Sequence, residues 1–312
     1  MCKPVQPLDE RCTCGFCAIV ARIKSYTPGP ALQEYIHKAL DEFEQHQNTR
    51  KSGSCSKDEQ TSEDKSTSPR GPVVRRAFGQ TFRKHPNGGG LVSDTATVSE
   101  TTYVAATAMV MDNAVVSGCA HIGRHAEIRG NATVMDKADV EYAVITGNAT
   151  VKEAAVVAGR GSMQLAEVHC NAVVGGAARV IGTVLITEQA AVGGDANVSG
   201  SARVCGEALV AGNATVSENA TIRGRAIVTG SAEVTGRAIV EGQANIYDQA
   251  TVTDEAVVRG EAIVRGTAVV SSAALVEGRV AVTDNAHVCN NVHLSDSVVI
   301  SGSDAKLEKR IS

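Results

Sequence analysis

Residues 202–225 read ARVCGE ALVAGN ATVSEN ATIRGR, which is four copies of a six-residue unit. Each copy begins with Ala, has a branched aliphatic residue two positions later, and continues into three residues rich in Gly, Asn and charge. The pattern runs without interruption from Ala166 to Ile300, where the aliphatic position is always Val, Ile or Leu. A short, regular period is the sequence signature of a repeat architecture, so it determines the fold.

A second block of the same units runs from Ala96 to Val140. Four more units connect the two blocks, with aliphatic positions at Ile145, Val151, Val157 and Met163. In the last of these, Gly161 takes the place of Ala. The spacing shortens to five residues from 138 to 143 and from 161 to 166, which indicates a tighter corner at each place.

The unit is suited to a short β-strand. A period of six does not match the 3.6-residue period of a helix, whereas Ala-x-Val fits a strand whose first and third residues point inward. Gly, Asn and Asp in the following positions tolerate the positive φ of a turn. Three strands and three corners per coil predict a triangular prism with eighteen residues in each coil.

These units resemble the hexapeptide-repeat superfamily, whose fold is a left-handed parallel β-helix of 18-residue coils. The resemblance spans residues 94–302 and predicts an all-β solenoid of about 11–12 coils. The long uniform array, with runs such as Asn-Ala-Thr-Val-Ser, is similar in composition to hexapeptide-repeat proteins of bacteria and their phages. The resemblance also implies a homotrimer, since trimers are common in the superfamily.

One outward column tests the coil length within the sequence. Stepping by eighteen, it reads Arg223, Glu241, Arg259 and Glu277. Residues one coil apart stack at about 4.8 Å, where like charges repel and opposite charges attract. The alternation of sign therefore favours three units per coil.

A second outward column is apolar. It reads Val173, Ala191, Leu209, Ile227, Asn245, Ile263, Ala281 and Val299. A continuous apolar stripe on a rigid surface is typical of a contact surface, which predicts a homo-oligomer with Val173, Leu209, Ile227, Ile263 and Val299 in its interface. The alternative is that outward Ile and Val only satisfy the preference of strands for branched residues.

A third outward column is polar. Two positions after its members, in coil after coil, the chain carries a Ser or a Thr. The hydroxyl residues are Ser199, Ser217, Thr235, Thr253 and Ser271. A flat hydroxyl array can order water, as in ice-binding solenoids. Arg179 and Glu233 interrupt this one, so an ordinary solvated face is the simpler interpretation.

The residues before the repeats differ in composition, and we divide the chain into five segments. They are a Cys-rich segment with an amphipathic helix (1–47), a flexible linker (48–72), a basic capping segment (73–93), the repeats (94–302) and a tail (303–312). Cys12, Cys14 and Cys17 are candidate zinc ligands because thiolates bind zinc, but their spacing is irregular, and free thiols are the alternative.

The superfamily includes enzymes, and the resemblance implies where their residues would lie. Its acyltransferases use an acyl-CoA and a general-base His in a groove between subunits, and its γ-class carbonic anhydrases hold zinc with three His. His121 and His125 are the candidate catalytic residues here, and His85 is the only upstream candidate near the coils for a third zinc ligand. No insertion longer than a turn interrupts residues 166–300, which argues against a substrate groove.

We therefore predict a non-catalytic structural or binding scaffold without a cofactor. An acyltransferase using acetyl-CoA is the alternative, followed by a carbonic-anhydrase-like zinc protein. A net charge of −4 argues against a nucleic-acid partner, and a protein or a glycan remains as partner. The absence of an 18-residue apolar window or a signal peptide predicts a cytoplasmic or virion-associated protein, outside the membrane.

Overall fold

Each six-residue unit buries its small and its branched residue and exposes the one between them. Ala208 and Val210 are fully buried, whereas Leu209 between them is partly exposed. A computed structural model describes residues 73–77, 79–302 and 306–307. Within these ranges the chain forms 38 strands and no helix, so the predicted all-β fold is confirmed as a parallel β-solenoid of about 12 turns. The predicted helix, Cys cluster and linker before residue 73, and most of the tail, lie outside the described residues.

Three sheets form the faces of the solenoid, and successive units occupy them in rotation. Face 1 contains β1 (Val73–Ala77), β2 (Gln80–Lys84), β3 (Leu91–Ser93), β6 (Met109–Val110), β9 (Glu127–Ile128), β12 (Ala143–Ile145), β15 (Ala166–Val168), β18 (Leu185–Ile186), β21 (Arg203–Val204), β24 (Thr221–Ile222), β27 (Ile239–Val240), β30 (Val257–Val258), β33 (Leu275–Val276) and β36 (His293–Leu294).

Face 2 contains β4 (Thr97–Val98), β7 (Val115–Val116), β10 (Thr133–Val134), β13 (Thr150–Val151), β16 (Val173–Val174), β19 (Ala191–Val192), β22 (Leu209–Val210), β25 (Ile227–Val228), β28 (Asn245–Ile246), β31 (Ile263–Val264), β34 (Ala281–Val282) and β37 (Val299–Ile300). This face carries the apolar column predicted from the sequence.

Face 3 contains β5 (Tyr103–Val104), β8 (His121–Ile122), β11 (Asp139–Glu141), β14 (Val156–Ala158), β17 (Arg179–Gly182), β20 (Asn197–Gly200), β23 (Thr215–Val216), β26 (Glu233–Val234), β29 (Thr251–Val252), β32 (Val269–Val270), β35 (His287–Val288) and β38 (Lys306–Leu307). This face carries the polar column.

The eighteen-residue coil is confirmed by the strand register. Leu209 is paired with Ile227, eighteen residues later, and Ile227 is paired with Asn245. Backbone hydrogen bonds join neighbouring coils, for example from the Leu209 amide to the Ala226 carbonyl at 3.0 Å. The buried Ala and Val residues of all coils form one continuous core along the axis. Each coil is therefore stabilised mainly by its two neighbours.

The two irregular spacings have different causes. At the first, Tyr142 alone separates β11 from β12 with φ of 48°, which is the tight corner predicted from the sequence. The prediction that Gly161–Met163 forms another unit is wrong. Residues 159–165 form a loop between β14 and β15, and Met163 at its tip is 97% exposed. The loop is an insertion at the corner between faces 3 and 1, so Val144 is paired with Glu167, 23 residues later, and β15 takes the place on face 1 that the predicted unit would have taken.

A hairpin and a glycine-rich loop cover the first coil. β1 and β2 are antiparallel, and β2 joins face 1 through β3. Phe82 on β2 is fully buried. The loop that follows packs on β5, where a Cβ on Gly88 would lie 2.3 Å from the Val104 carbonyl oxygen and one on Gly90 would lie 2.4 Å from Val104 Cγ1. Only glycine fits this close approach.

Most corners contain one residue in the left-handed backbone region, two positions after the inward aliphatic residue. Glycine occupies many of these positions, and Asp or Glu occupies most of the others. A corner carboxylate accepts a hydrogen bond from the amide one coil later, as from Gly130 to Asp112 (2.9 Å) and from Ser272 to Asp254 (2.9 Å). This bond satisfies a corner amide, which offsets part of the cost of the positive φ.

Candidate functional site

His121 is the centre of a stack of three side chains on face 3. Its ring lies 4.8 Å from the ring of Tyr103, nearly parallel to it, in the preceding coil. Its Nδ1 lies 2.8 Å from a carboxylate oxygen of Asp139 in the following coil. The three residues come together because they occupy the same outward position of β5, β8 and β11. His121 is 48% exposed, so this arrangement presents an oriented imidazole to solvent.

His125 belongs to the neighbouring corner rather than to this stack. It has φ of 52°, and its ring lies 5.5 Å from the ring of Tyr142. Its amide donates to Thr107 Oγ1 at 3.2 Å. The two predicted catalytic histidines thus have separate partners, one on a strand and the other at a turn.

His85 is buried within the N-terminal loop. Its Nδ1 lies 3.1 Å from the Asn87 carbonyl oxygen and its Nε2 lies 3.2 Å from the Ser99 carbonyl oxygen. Both ring nitrogens are therefore engaged by backbone groups, so His85 serves to hold the loop. These contacts give His85, the residue considered as a third zinc ligand, a structural role in the loop.

The remaining described histidines each contact one nearby polar side chain. Their partners are Glu167 for His169, Ser271 for His287 and Glu277 for His293. Among the residues that the structure describes, no three His, Cys, Asp or Glu side chains are grouped to hold a metal ion. Cys12, Cys14 and Cys17 lie outside those residues.

Glu277 is a carboxylate with hydrogen-bond partners in the coils before and after its own. It accepts hydrogen bonds from His293 (2.6 Å) and from Arg259 Nε (2.7 Å). The bond to His293, followed by the bond to Arg259, lowers the pKa of Glu277 from its ordinary value of 4.5, because both favour the ionised carboxylate. This group links the ion-paired column to the last coil of face 1.

The loop of residues 159–165 forms a cleft that the sequence did not predict. The cleft has a volume of about 380 Å³ and lies along the corner between faces 3 and 1. Its described lining residues are Arg160, Gln164, Thr183, Ser199, Gly200, Ser201, Ser217, Glu218 and Asn219. The shortened spacing at 161–166 marked the place, but the resemblance of Gly161–Met163 to a repeat unit concealed the loop.

The apolar column of face 2 is partly accessible. Val299 is 69% exposed, and Leu209, Ile227 and Ile263 are half-buried. Val173 is already buried within the chain, so the accessible apolar area comes from the later coils.

Polar groups border this column. Ion pairs form one edge, with Arg225 3.1 Å from Glu207 and Arg279 3.0 Å from Glu261. At the other edge lies Tyr247, directly after β28, and burial raises the pKa of its phenol. The column is thus an apolar strip with a polar boundary.

The fold and these sites define the protein as a parallel β-solenoid with an apolar face, a polar cleft and an exposed His–Asp pair. No family model matches the chain, and neither a curated protein nor a solved structure shows significant similarity to it. The described part of the chain contains no helix with the length and apolarity needed to cross a membrane.

Proposed function

We propose that the protein is a non-catalytic scaffold of the hexapeptide-repeat superfamily, a rigid solenoid that self-associates through face 2 as a homotrimer. The observation that carries this proposal is the apolar column of that face. From Leu209 to Val299 it extends over five coil steps, or about 24 Å at the spacing of adjacent strands. Apolar strips of this length on a soluble surface are typical of contact sites.

The surroundings of the column favour another copy of the chain as its partner. An apolar centre with a polar boundary is the usual composition of a protein interface. The interruption at Asn245 is compatible with burial, because its side-chain amide donates to the Gln243 carbonyl oxygen at 3.0 Å. In a closed trimer, three copies of this strip would lie around the threefold axis, each in contact with the other two.

The test compares the mass in solution of two double variants by analytical ultracentrifugation. Ile227→Asp with Ile263→Asp places two charges in the centre of the column. We expect the wild type to sediment as a trimer and this variant as a monomer, because burying unpaired carboxylates is costly. The control is Asn197→Asp with Val269→Asp, outward positions of face 3 that have no carboxylate in the adjacent coils, and it should sediment as the wild type does. A monomeric wild type, or a variant with unchanged mass, would refute the proposal.

The second candidate function is an acyl-CoA-dependent acyltransferase, which the contact between His121 and Asp139 favours. A carboxylate on Nδ1 fixes the ring orientation and the tautomer that leaves Nε2 free to accept a proton. Nε2 has no hydrogen-bond partner in the described ranges of the chain. Such a histidine would require a subunit groove to bind the acyl donor.

Acetyl-CoA distinguishes the two functions. A transferase would show a higher melting temperature in the presence of acetyl-CoA, because a ligand that binds only the folded state stabilises it, and His121→Ala would abolish acetyl transfer. A scaffold would show the same melting temperature with and without acetyl-CoA. We expect the second result.

A further inference from the structure

The loop that forms one wall of the cleft is held in a fixed shape. The Arg160 amide donates to the Gln164 carbonyl oxygen at 2.9 Å, and the Gln164 amide donates to the Gly161 carbonyl oxygen at 3.0 Å. At its base, a Cβ on Gly159 would lie 2.3 Å from the Tyr142 carbonyl oxygen, so the loop begins against the solenoid. These contacts position Arg160 and Gln164 over the corner of the next coils.

The groups that line the cleft are almost all neutral and polar. Hydroxyls are provided by Thr183, Ser199, Ser201 and Ser217, and amides by Gln164 and Asn219. Arg160 is the one cation and Glu218 the one anion among the described lining residues, so their charges balance. No aliphatic or aromatic residue is among the described lining residues. Such a lining offers both donors and acceptors, which excludes a good fit for an apolar ligand or a multiply charged ion.

The hydroxyl lining continues beyond the cleft along the solenoid axis. Ser199 and Ser217 lie in the cleft, and the partly exposed Thr235 and Thr253 follow in the next two coils of the same column, which ends at the buried Ser271. Adjacent hydroxyls are about 4.8 Å apart by the coil spacing, and the Thr235 and Thr253 side chains approach to 2.9 Å. The repeat of one coil is comparable to the length of one sugar residue in a linear chain.

We propose that the cleft binds a neutral oligosaccharide, with one end under the loop and the chain lying along the hydroxyl column. Sugar hydroxyls donate and accept hydrogen bonds together, as these side chains do. A volume of about 380 Å³ is within the range of small-ligand sites. The corner between faces 3 and 1 is opposite face 2, so self-association through face 2 leaves the cleft accessible and the two proposals are independent.

Binding to immobilised oligosaccharides tests this site with the full chain. The probes are cellohexaose, maltohexaose and xylohexaose, with hexagalacturonate as the acidic comparison. We expect the wild type to bind at least one neutral probe. Arg160→Ala removes a donor and Ser217→Leu fills the cleft, and each should weaken that binding at least tenfold. The matched control is Met163→Ala, which changes the exposed tip of the same loop and should bind as the wild type does.

Three results would overturn the proposal. The first is no binding to any neutral probe, and the second is binding that neither Arg160→Ala nor Ser217→Leu weakens. The third is binding to hexagalacturonate alone, which would indicate a site for acidic ligands. Circular dichroism of each variant checks that the solenoid is folded, and the use of two substitutions in different elements separates loss of the site from loss of the fold.

Discussion

Arg223 Nε donates to the Glu241 carboxylate at 2.6 Å, from one coil to the next on the corner that follows face 1. The two residues are eighteen positions apart in the sequence, and the same contact recurs between Arg259 and Glu277 at 2.7 Å. The alternating charges that predicted the coil length therefore form ion pairs in the structure. Their order along the axis follows from the strand register, which brings every eighteenth residue into contact.

Exchanging the charges of Glu261 and Arg279, whose neighbours in the same column are the uncharged Gln243 and Ser297, should restore most of the stability that the single substitutions remove. Arg279→Glu places two carboxylates in adjacent coils, and Glu261→Arg places two guanidinium groups there. The double substitution should recover an interaction of about 0.2–1 kcal/mol, as expected for an exposed pair. The unfolding midpoint in urea at low and high salt measures it. Equal stability of the double and single variants would indicate that the pair contributes nothing.

The stability of the last coils should depend on the ionisation of Glu277. Its pKa is lowered in the folded state, so its stabilisation is complete above the unfolded pKa and is lost as the pH falls through the folded pKa, below about 4.5. Glu277→Gln should therefore lower the melting temperature at pH 7 and remove part of the decrease between pH 5 and the acidic limit. The control is Glu233→Gln, which changes an exposed carboxylate of face 3. Identical pH profiles for the wild type and Glu277→Gln would contradict the assignment.

Gly236 tests the backbone requirement of the corners. Its φ is 71°, and a Cβ there would lie 2.6 Å from the Asp254 carbonyl oxygen. Gly236→Ala should destabilise the protein by about 1–2 kcal/mol, the cost of the left-handed conformation for an ordinary residue. Gly236→Asn adds the same Cβ but tolerates this conformation better, so it should cost less. Chemical denaturation of the two variants measures the difference, and an Ala variant as stable as wild type would refute the requirement.

The two residues of β24 should differ strongly in the stability that each loses on substitution by Ala. Ile222 is fully buried, and Thr221 beside it points outward. Ile222→Ala should cost about 2–5 kcal/mol because it removes buried methyl groups and leaves a cavity. Thr221→Ala should remain within about 0.5 kcal/mol of wild type, as is usual for surface positions. Similar losses for both variants would indicate that the inward and outward positions are wrongly assigned.

The site residues could be predicted only in part. His121 is a candidate from the sequence because it lies on the repeats, four residues before His125. The eighteen-residue step that relates Arg223 to Glu241 also relates His121 to Tyr103 and to Asp139, so this contact follows from the repeat. The cleft residues were not recognised as a set, because Arg160 is in a loop and Ser217 is three coils away along the chain. The eighteen-residue step gives the contacts between regular coils, but the loop of residues 159–165 lies outside that step, so the step does not predict what the loop contacts.

The amino-acid sequence by itself determined the strands, the three faces, the eighteen-residue coil and the outward columns, because each unit is local and every coil repeats the same packing of Ala and Val. Only the tertiary structure decided that residues 159–165 leave the solenoid. The residues Gly161-x-Met163 fit the small-x-apolar pattern of a strand although they form a loop, so the repeat pattern does not distinguish the two. The pairing of Val144 with Glu167 across the loop distinguishes them, and this pairing creates the cleft.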